Sequence, residues 1–355
     1  MEEQKDTRGM LEMMMQPAFC VKNCIITLVN QAARQLLIEP QTSVIPLLGD
    51  DAEEYESFDG HCLCLTLTLC EIPQQTSVIR MKDFDLFIID QEMEQAELRA
   101  MALTAMNLRE PLSGIMTVTE QLFPQIKNSD DPVTQVQISQ INRRLSQLHR
   151  MVCNMTDAIQ YASDTPARMS CQDVCAVVEE IFDHAEVLLE KSGYQLRYSG
   201  PREPIYSMIC AERLERAVYN ILSNSMKHAE KGSLIEATLT RRNNKLYLSI
   251  RDNGSGIPSE ILGNLYRRFQ RNPGIGDHSN GLGLGLVLVR GAAAAHGGTV
   301  LIDQPNGIGN RITMSLTIRR QGNSVRSNIF SIDYAGERDH GLLELSDVLP
   351  AELYF

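Results

Sequence analysis

No apolar run in this sequence approaches the ~20 residues that cross a bilayer as a helix. The longest strongly apolar stretches, such as Cys62 to Cys70 and Leu284 to Val289, fall far short, and no membrane span is expected. The opening residues include Glu2, Glu3, Lys5 and Asp6 and lack an apolar core followed by small residues. No secretory signal is read there, and a cytoplasmic location is expected. Basic side chains are outnumbered 33 to 45, and the net charge of -12 repels phosphate backbones and anionic lipid alike, so nucleic acid is not an expected partner. Glycine (23) and proline (14) are scarce beside 43% hydrophobic residues, which excludes a disordered chain. The 355 residues suffice for two or three domains with their own cores. The nine cysteines are odd in number and scattered, as suits reduced thiols rather than a disulfide framework. Cys62 and Cys64 are expected on one face of a strand and Cys171 and Cys175 on one face of a helix, each pair at most half a metal site.

Residues 1 to about 90 mix short apolar runs (Ala18 to Val21, Ile25 to Val29, Leu63 to Leu69, Phe84 to Ile89) with turn signals such as Lys22-Asn23, which reads as a small α/β unit. From Leu98 the pattern changes to alternating steps of three and four: Leu98, Met101, Ala105, Leu108, Leu112, Ile115, Thr119, Leu122. After a break rich in turn formers, from Pro124 to Pro132, the same spacing returns at Ile138, Ile141, Leu145, Leu148, Val152, Met155, Ile159 and Ala162. Two heptad helices joined by a short loop form an antiparallel hairpin. One hairpin leaves an apolar seam uncovered, and two copies packed as a four-helix bundle would bury it, so a homodimer is expected. Residues 165 to 320 alternate helical stretches (Val174 to Leu189, Glu212 to Ala229) with strands, of which Leu246 to Arg251 is the clearest, and read as a two-layer α/β domain. The last segment, 321 to 355, is too apolar for a free tail and is expected to dock on a domain surface.

Residues of nucleotide chemistry concentrate in this third region. Asn220, Asn224, Lys227 and His228 follow one another at helical steps and share a face. Asn224 offers a neutral oxygen to Mg²⁺ and Lys227 a mobile cation to phosphate. Asp252-Asn253-Gly254-Ser255-Gly256-Ile257 follows a strand directly. Its carboxylate can accept from an exocyclic amine, and its glycines let backbone approach a flat base. Gly281-Leu282-Gly283-Leu284-Gly285-Leu286 precedes a helix from Val287 to Ala295, where loop amides and a helix N-terminus suit a polyphosphate.

In this order the pieces resemble the GHKL ATPases, and within them the sensor histidine kinases. Asn220 to His228 matches the N box and Asp252 to Gly256 the first glycine box. Leu265-Tyr266-Arg267-Arg268-Phe269 resembles the F box, and Gly281 to Leu286, with His296-Gly297-Gly298 beyond, the second glycine box. The resemblance spans about 90 to 320. It implies that Asp252 recognises adenine, Asn224 holds Mg²⁺, and Asn220 and Lys227 contact phosphates. It also implies that His228 and Ile257 lie against the nucleotide and that Phe269 helps order a lid at 270 to 280. Hydrolytic relatives carry a glutamate where this chain has Asn220, and an amide cannot serve as the general base. The start, Pro17 to Val21, a turn, Ile25 to Asn30 and then Gln31 to Leu37, resembles the opening of a PAS sensor domain, with an unrelated small α+β domain as the alternative. The expected fold is thus α+β multidomain: a PAS-like domain at 1–90, a dimerisation hairpin at 91–164, a two-layer ATP-binding sandwich of the GHKL (Bergerat) type at 165–320, and a docking tail at 321–355.

The family's acceptor box reads His-Glu-Leu-Arg-Thr-Pro-Leu, whereas this chain has Met106-Asn107-Leu108-Arg109-Glu110-Pro111-Leu112. Leu108, Arg109, Pro111 and Leu112 fix the register. Met106 stands at an outward b position and has no nucleophilic nitrogen. Asn107 replaces the acidic residue and Glu110 the residue that positions water during dephosphorylation of a response regulator. No histidine lies between His61 and His149. His149 is the alternative acceptor, and His296 is read as a cation at a helix end. The expectation is a two-component signalling protein that binds ATP and Mg²⁺, fails to autophosphorylate at the usual place, and regulates a partner histidine kinase or response regulator. The alternatives are a kinase acting on a histidine of its own elsewhere or of another chain, and a sensor whose ATP site is only structural.

Overall fold

Two hydrophobic periods divide the chain, and the computed structural model realises both as separate layers. It describes residues 2–89, 95–127, 132–160, 167–256, 284–305, 308–319 and 339–355. The first part opens with helix α1 (Glu2–Met13) and strands β1 (Ala18–Lys22) and β2 (Ile25–Val29). Short helices α2 (Gln31–Gln35), α3 (Ile45–Leu48) and α4 (Ala52–Ser57) follow, then β3 (Cys62–Leu69), β4 (Ile72–Arg80) and β5 (Asp85–Ile89). The apolar runs in these strands are nearly continuous because both faces are covered. Phe19, Leu63, Leu65, Val78 and Phe87 enter one core, while Ala18, Cys20, Cys62, Cys64, Leu86 and Ile88 enter the other. Cys62 and Cys64 do share a strand face, but Cys171 lies on a strand and Cys175 on the helix after it. Among the described residues no cluster of His, Cys, Asp and Glu could hold a metal.

Helices α5 (Gln95–Lys127) and α6 (Pro132–Gln160) pack as an antiparallel pair. One row of the heptad, Ala105, Leu112, Ile138, Leu145 and Val152, is buried, while the other row, Leu108, Ile115, Leu122, Ile141 and Leu148, is exposed. Each helix therefore spends one apolar row on the other helix and leaves the second uncovered.

The third region continues with β6 (Ser170–Asp173), α7 (Val174–Lys191), β7 (Gln195–Ser199), β8 (Tyr206–Ile209), α8 (Ala211–His228), β9 (Leu234–Arg242) and β10 (Lys245–Arg251). It closes with α9 (Gly285–Ala295), β11 (Val300–Asp303) and β12 (Arg311–Thr317). Ten strands form one sheet in the order β2-β1-β5-β4-β3-β11-β12-β10-β9-β7, and β6 and β8 form a small second sheet. The junction is antiparallel, Cys62 opposite Ile302 and Cys64 opposite Val300. A polar clasp fixes it: Glu54 on α4 accepts from Thr299 Oγ1 at 2.6 Å and Tyr247 OH at 3.2 Å, and lies 3.1 Å from Lys245 Nζ.

The chain ends in helix α10 (His340–Glu344) and a 3₁₀ turn (Ala351–Tyr354). Leu345 and Leu349 are fully buried. α6 supplies the polar contacts: Asn142 donates to the Tyr354 carbonyl at 2.8 Å, Arg143 to those of Ser346 and Asp347 at 3.1 Å each, and Gln147 to Ser346 at 3.0 Å. At the start of α10, Asp339 caps Leu342 N at 2.8 Å and meets His184 Nε2 of α7 at 3.1 Å.

Two predictions follow from these contacts. Glu54→Ala removes the shared acceptor of Lys245, Tyr247 and Thr299, leaving Lys245 only Asp51 at 3.7 Å and Thr299 only Ser315 at 3.1 Å, and should lower stability to urea by about 2–4 kcal/mol. The hydrogen bond from His184 to Asp339, with the surrounding carboxylates, raises the imidazole above its ordinary value. Its contribution to tail docking is therefore complete below ~6.5 and is lost as the pH rises through the raised value. The gap in thermal midpoint between the native chain and His184→Gln should shrink between about pH 5.5 and about pH 8.5.

Candidate functional site

The helix α8 is strongly amphipathic, and its buried face packs under the sheet while Asn220 and Asn224 stand beside the start of α9. A Cβ added at Gly285, the first residue of α9, would stand 3.1 Å from Asn220 Oδ1 and 3.8 Å from Asn224 Nδ2. Any side chain at this position would press on the Asn220 carboxamide. Leu284 and Gly285 thus set the uncapped N-terminus of α9 beside the two asparagines, a geometry that favours an anion.

The end of β10 reaches the other end of α8. Asp252 is buried. Its Oδ1 accepts from Gly254 N at 2.9 Å and Asn310 N at 3.1 Å, and its Oδ2 from Ser225 Oγ at 3.1 Å. Oδ2 therefore keeps accepting capacity for a further donor. Ser255 N donates to the His228 carbonyl at 3.3 Å, and a Cβ at Gly254 would lie 2.5 Å from that same oxygen. Gly256 has a φ of +77°, and an added Cβ would meet Gln304 Nε2 at 2.3 Å. Both glycines are needed for backbone reasons, quite apart from any ligand. The imidazole of His228 is exposed at the end of the helix.

Most of the expected site residues lie among the described residues. Asn224, Lys227, His228, Asp252, Gly254, Gly256, Leu284, Gly285 and Leu286 gather around α8 and the start of α9. Asn224 is half-buried and has no hydrogen-bond partner among the described residues. Asn220 is different: its Oδ1 accepts from Arg150 Nη2 of α6 at 3.2 Å and its Nδ2 donates to the Arg216 carbonyl at 2.7 Å. Its carboxamide is a clasp between helices rather than an open phosphate contact. Ile257, Phe269, Gly281, Gly283 and the lid at 270–280 lie outside the described residues. His296 is not the cation expected at its helix end. It is buried, its Nε2 accepts from Cys210 N at 3.0 Å and its Nδ1 stands 2.7 Å from the Ala292 carbonyl. Burial pushes its pKa down, and the ring is a neutral crosslink.

Three residues that sequence reasoning passed over belong to the site. Ser225 orients Asp252. Gly309, with a φ of +68°, brings its backbone so close to Asp252 that a Cβ would stand 1.9 Å from the Asp252 carbonyl. Asn310 follows; its backbone N–H binds the Asp252 carboxylate, and its side-chain Oδ1 is buried without a hydrogen-bond partner. The signal in the sequence was the Gly-x-Gly spacing at 307 and 309, the same device as at 254 and 256. Asp252 Oδ2 keeps room for one more donor, such as an N–H of an exocyclic amine, and Asn310 Oδ1 is a second buried acceptor on the residue whose backbone N–H binds Asp252.

Comparison with known proteins covers the same region of the chain. The family described as histidine kinase-, DNA gyrase B- and HSP90-like ATPase matches residues 210–320. Over 213 residues the chain is 27% identical to the sensor protein KdpD of Clostridium acetobutylicum, covering 59% of this chain and 23% of that protein. Over 217 residues it is 25% identical to the signal transduction histidine-protein kinase AfsQ2 of Streptomyces coelicolor, covering 58% of this chain and 39% of that protein. Residues 210–320 carry a GHKL-type ATP-binding domain, and beyond that domain the chain is similar to sensor histidine kinases. A third relative, the swarming motility regulation sensor protein RssA of Serratia marcescens, is 29% identical over 236 residues, 65% of this chain and 49% of that protein. The chain thus spans between 23% and 49% of the length of these three relatives. In fold it is similar to full-length ShkA, solved in complex with AMPPNP, with a TM-score of 0.51 at 16% identity over 64% of this chain and 47% of that one. Among the described residues no helix is long and apolar enough to cross a membrane.

Asp252→Asn can keep Oδ1 toward the Gly254 and Asn310 amides while removing the charged acceptor. ATP affinity should fall about tenfold to a hundredfold, the worth of a hydrogen bond to a charged group. Titration calorimetry on the folded variant checks it, and an unchanged affinity would remove Asp252 from base recognition.

Proposed function

We propose that this member of the two-component sensor histidine kinase family binds ATP with Mg²⁺, dimerises through α5 and α6, and does not phosphorylate itself at the usual position. The observation that carries the reading is Met106, which is 64% exposed on the outward side of α5, where the acceptor histidine of the family would stand. A thioether there cannot form a phosphoramidate. Asn107 and Glu110, at the places of the acidic and water-positioning residues, remove the side chains that would assist phosphorylation and dephosphorylation. His149 is buried within α6, which weighs against it as a substitute.

The residues present suit the nucleotide. Asp252 and Asn310 offer acceptors to the base, Gly254 and Gly256 keep the backbone close, and Lys227 supplies a cation. Asn224, with its carboxamide uncommitted, would hold the Mg²⁺, which draws charge from the phosphates when bound. The exposed row of Leu108, Ile115, Leu122, Ile141 and Leu148 supports a second copy packing against α5 and α6. The run β2-β1-β5-β4-β3, which joins the rest of the sheet only through β3 and β11, supports residues 1–90 as a PAS-like sensor domain, followed by 91–164 as the dimerisation hairpin, 165–320 as the ATP-binding domain and 321–355 as the docking tail. Such a protein would act as a nucleotide-dependent regulator of a partner histidine kinase or response regulator. An exposed seam can also take the helices of another kinase chain, whose histidine would then be the acceptor.

Incubating the purified chain with Mg²⁺ and γ-labelled ATP, beside Asp252→Asn as a blank, separates these readings. Bound nucleotide on a dimer with no acid-labile label on the protein is the expected result. Acid-labile label that disappears in the variant would overturn the regulator reading, and label appearing only when a second kinase chain is added would favour the mixed bundle.

A further inference from the structure

The cation assigned to phosphate does not stand alone. Lys227 Nζ lies 3.2 Å from Asp347 Oδ2, and the same oxygen lies 2.8 Å from Arg150 Nη1 of α6. Lys227 comes from the nucleotide helix, Arg150 from the helical pair, and Asp347 from the C-terminal segment. Arg150 is buried and is held in place by Asn220 Oδ1 at 3.2 Å, by Ser223 Oγ at 3.4 Å and by Glu344 Oε2, 3.3 Å from its Nε. Its Nη1 is thereby aimed at the point where Asp347 arrives. One anionic oxygen bound by a guanidinium and an ammonium is the pattern of a phosphate oxygen between two cations.

The segment does not need this carboxylate to stay docked. Leu345 and Leu349 are fully buried, and Arg143 and Gln147 grip backbone carbonyls of Ser346 and Asp347. The Asp347 side chain adds charge beside Lys227 and Arg150 to a contact that is already made. A purely structural counterion could have served at any point of this interface. Asp347 meets the cation that stands one helical turn beyond Asn224.

We infer that Lys227 and Arg150 together form an anion site for a phosphate group of the bound nucleotide, and that Asp347 of the C-terminal segment competes for it. The inference rests on the nucleotide-binding reading above and adds to it a phosphate contact from the helical pair and an internal competitor. Nucleotide entry then displaces the Asp347 carboxylate and transfers Lys227 and Arg150 to the phosphate, which draws α6 onto the nucleotide.

The full-length chain and Asp347→Asn are to be titrated with ATP, ADP and adenosine under the same salt, with a thermal melt showing that the variant is folded. The substitution keeps the size of the side chain and removes only its charge. ATP and ADP should bind about tenfold more tightly to the variant, roughly the worth of one partly buried ion pair, with adenosine unchanged. Arg150→Gln added to Asp347→Asn should then reverse the gain for ATP and leave adenosine as it was. Equal ATP affinity in both chains would overturn the competition while leaving nucleotide binding intact, and so would a gain shared by adenosine, which would report a loosened domain. Failure of every chain to bind ATP would instead bring down the nucleotide reading itself. If Arg150→Gln has no effect in the Asp347→Asn background, Arg150 is not part of the site.

Discussion

Glu344 has no exposed surface, and its carboxylate is held between Arg216 Nε at 2.9 Å and Arg150 at 3.3 Å. A charge so placed is tolerable only while its partners are present. Arg216 in turn binds Asp157, and Asn154 at 2.7 Å. The cluster therefore joins three stretches far apart in sequence, the second helix of the pair, the nucleotide helix and the final segment. None of them can leave without stranding a buried charge. The position of Asn220, the orientation of Arg150 and the approach of Asp347 to Lys227 all depend on this arrangement.

Much of the architecture could be read in advance because it rests on local periods. The steps of three and four over 98–162 specified two helices and their facing rows, since a heptad is a statement about one surface. The glycines at 254 and 256 and the carboxylate before them marked a strand end, since backbone approach leaves few residue choices. The rest depended on pairings between distant residues, which no period records. That β3 would pair with β11 could not be seen in Cys-Leu-Cys-Leu, because runs buried on both faces carry no partner label. The destination of residues 339–355 was hidden for the same reason: an apolar segment asks for cover without naming it.

Errors in reading particular residues have similar causes. Cys171 and Cys175 have helical spacing, but Asp173 caps α7 between them by accepting from Cys175 N at 3.1 Å, so the helix begins too late to hold both. His296 stands where a helix favours a cation, yet burial and an accepted hydrogen bond from Cys210 outweigh the dipole. Asn220 has the spacing of a ligand and is diverted by an arginine from another segment. Asn310 was missed because a single asparagine after two glycines reads as a turn until the strand opposite is known.

The continuous sheet also bears on how the chain can be divided. Within the ten strands, β3 and β11 each have neighbours on both sides. Cut apart before α5, the N-terminal unit would present the β3 backbone and its alternating Cys-Leu side chains as an open edge, and the remainder would do the same with β11. Unpaired, flat, apolar edges recruit other strands. Each half thus acts as the solubilising cover of the other, and the boundary that looks natural in the sequence is the place where separation would lead to self-association.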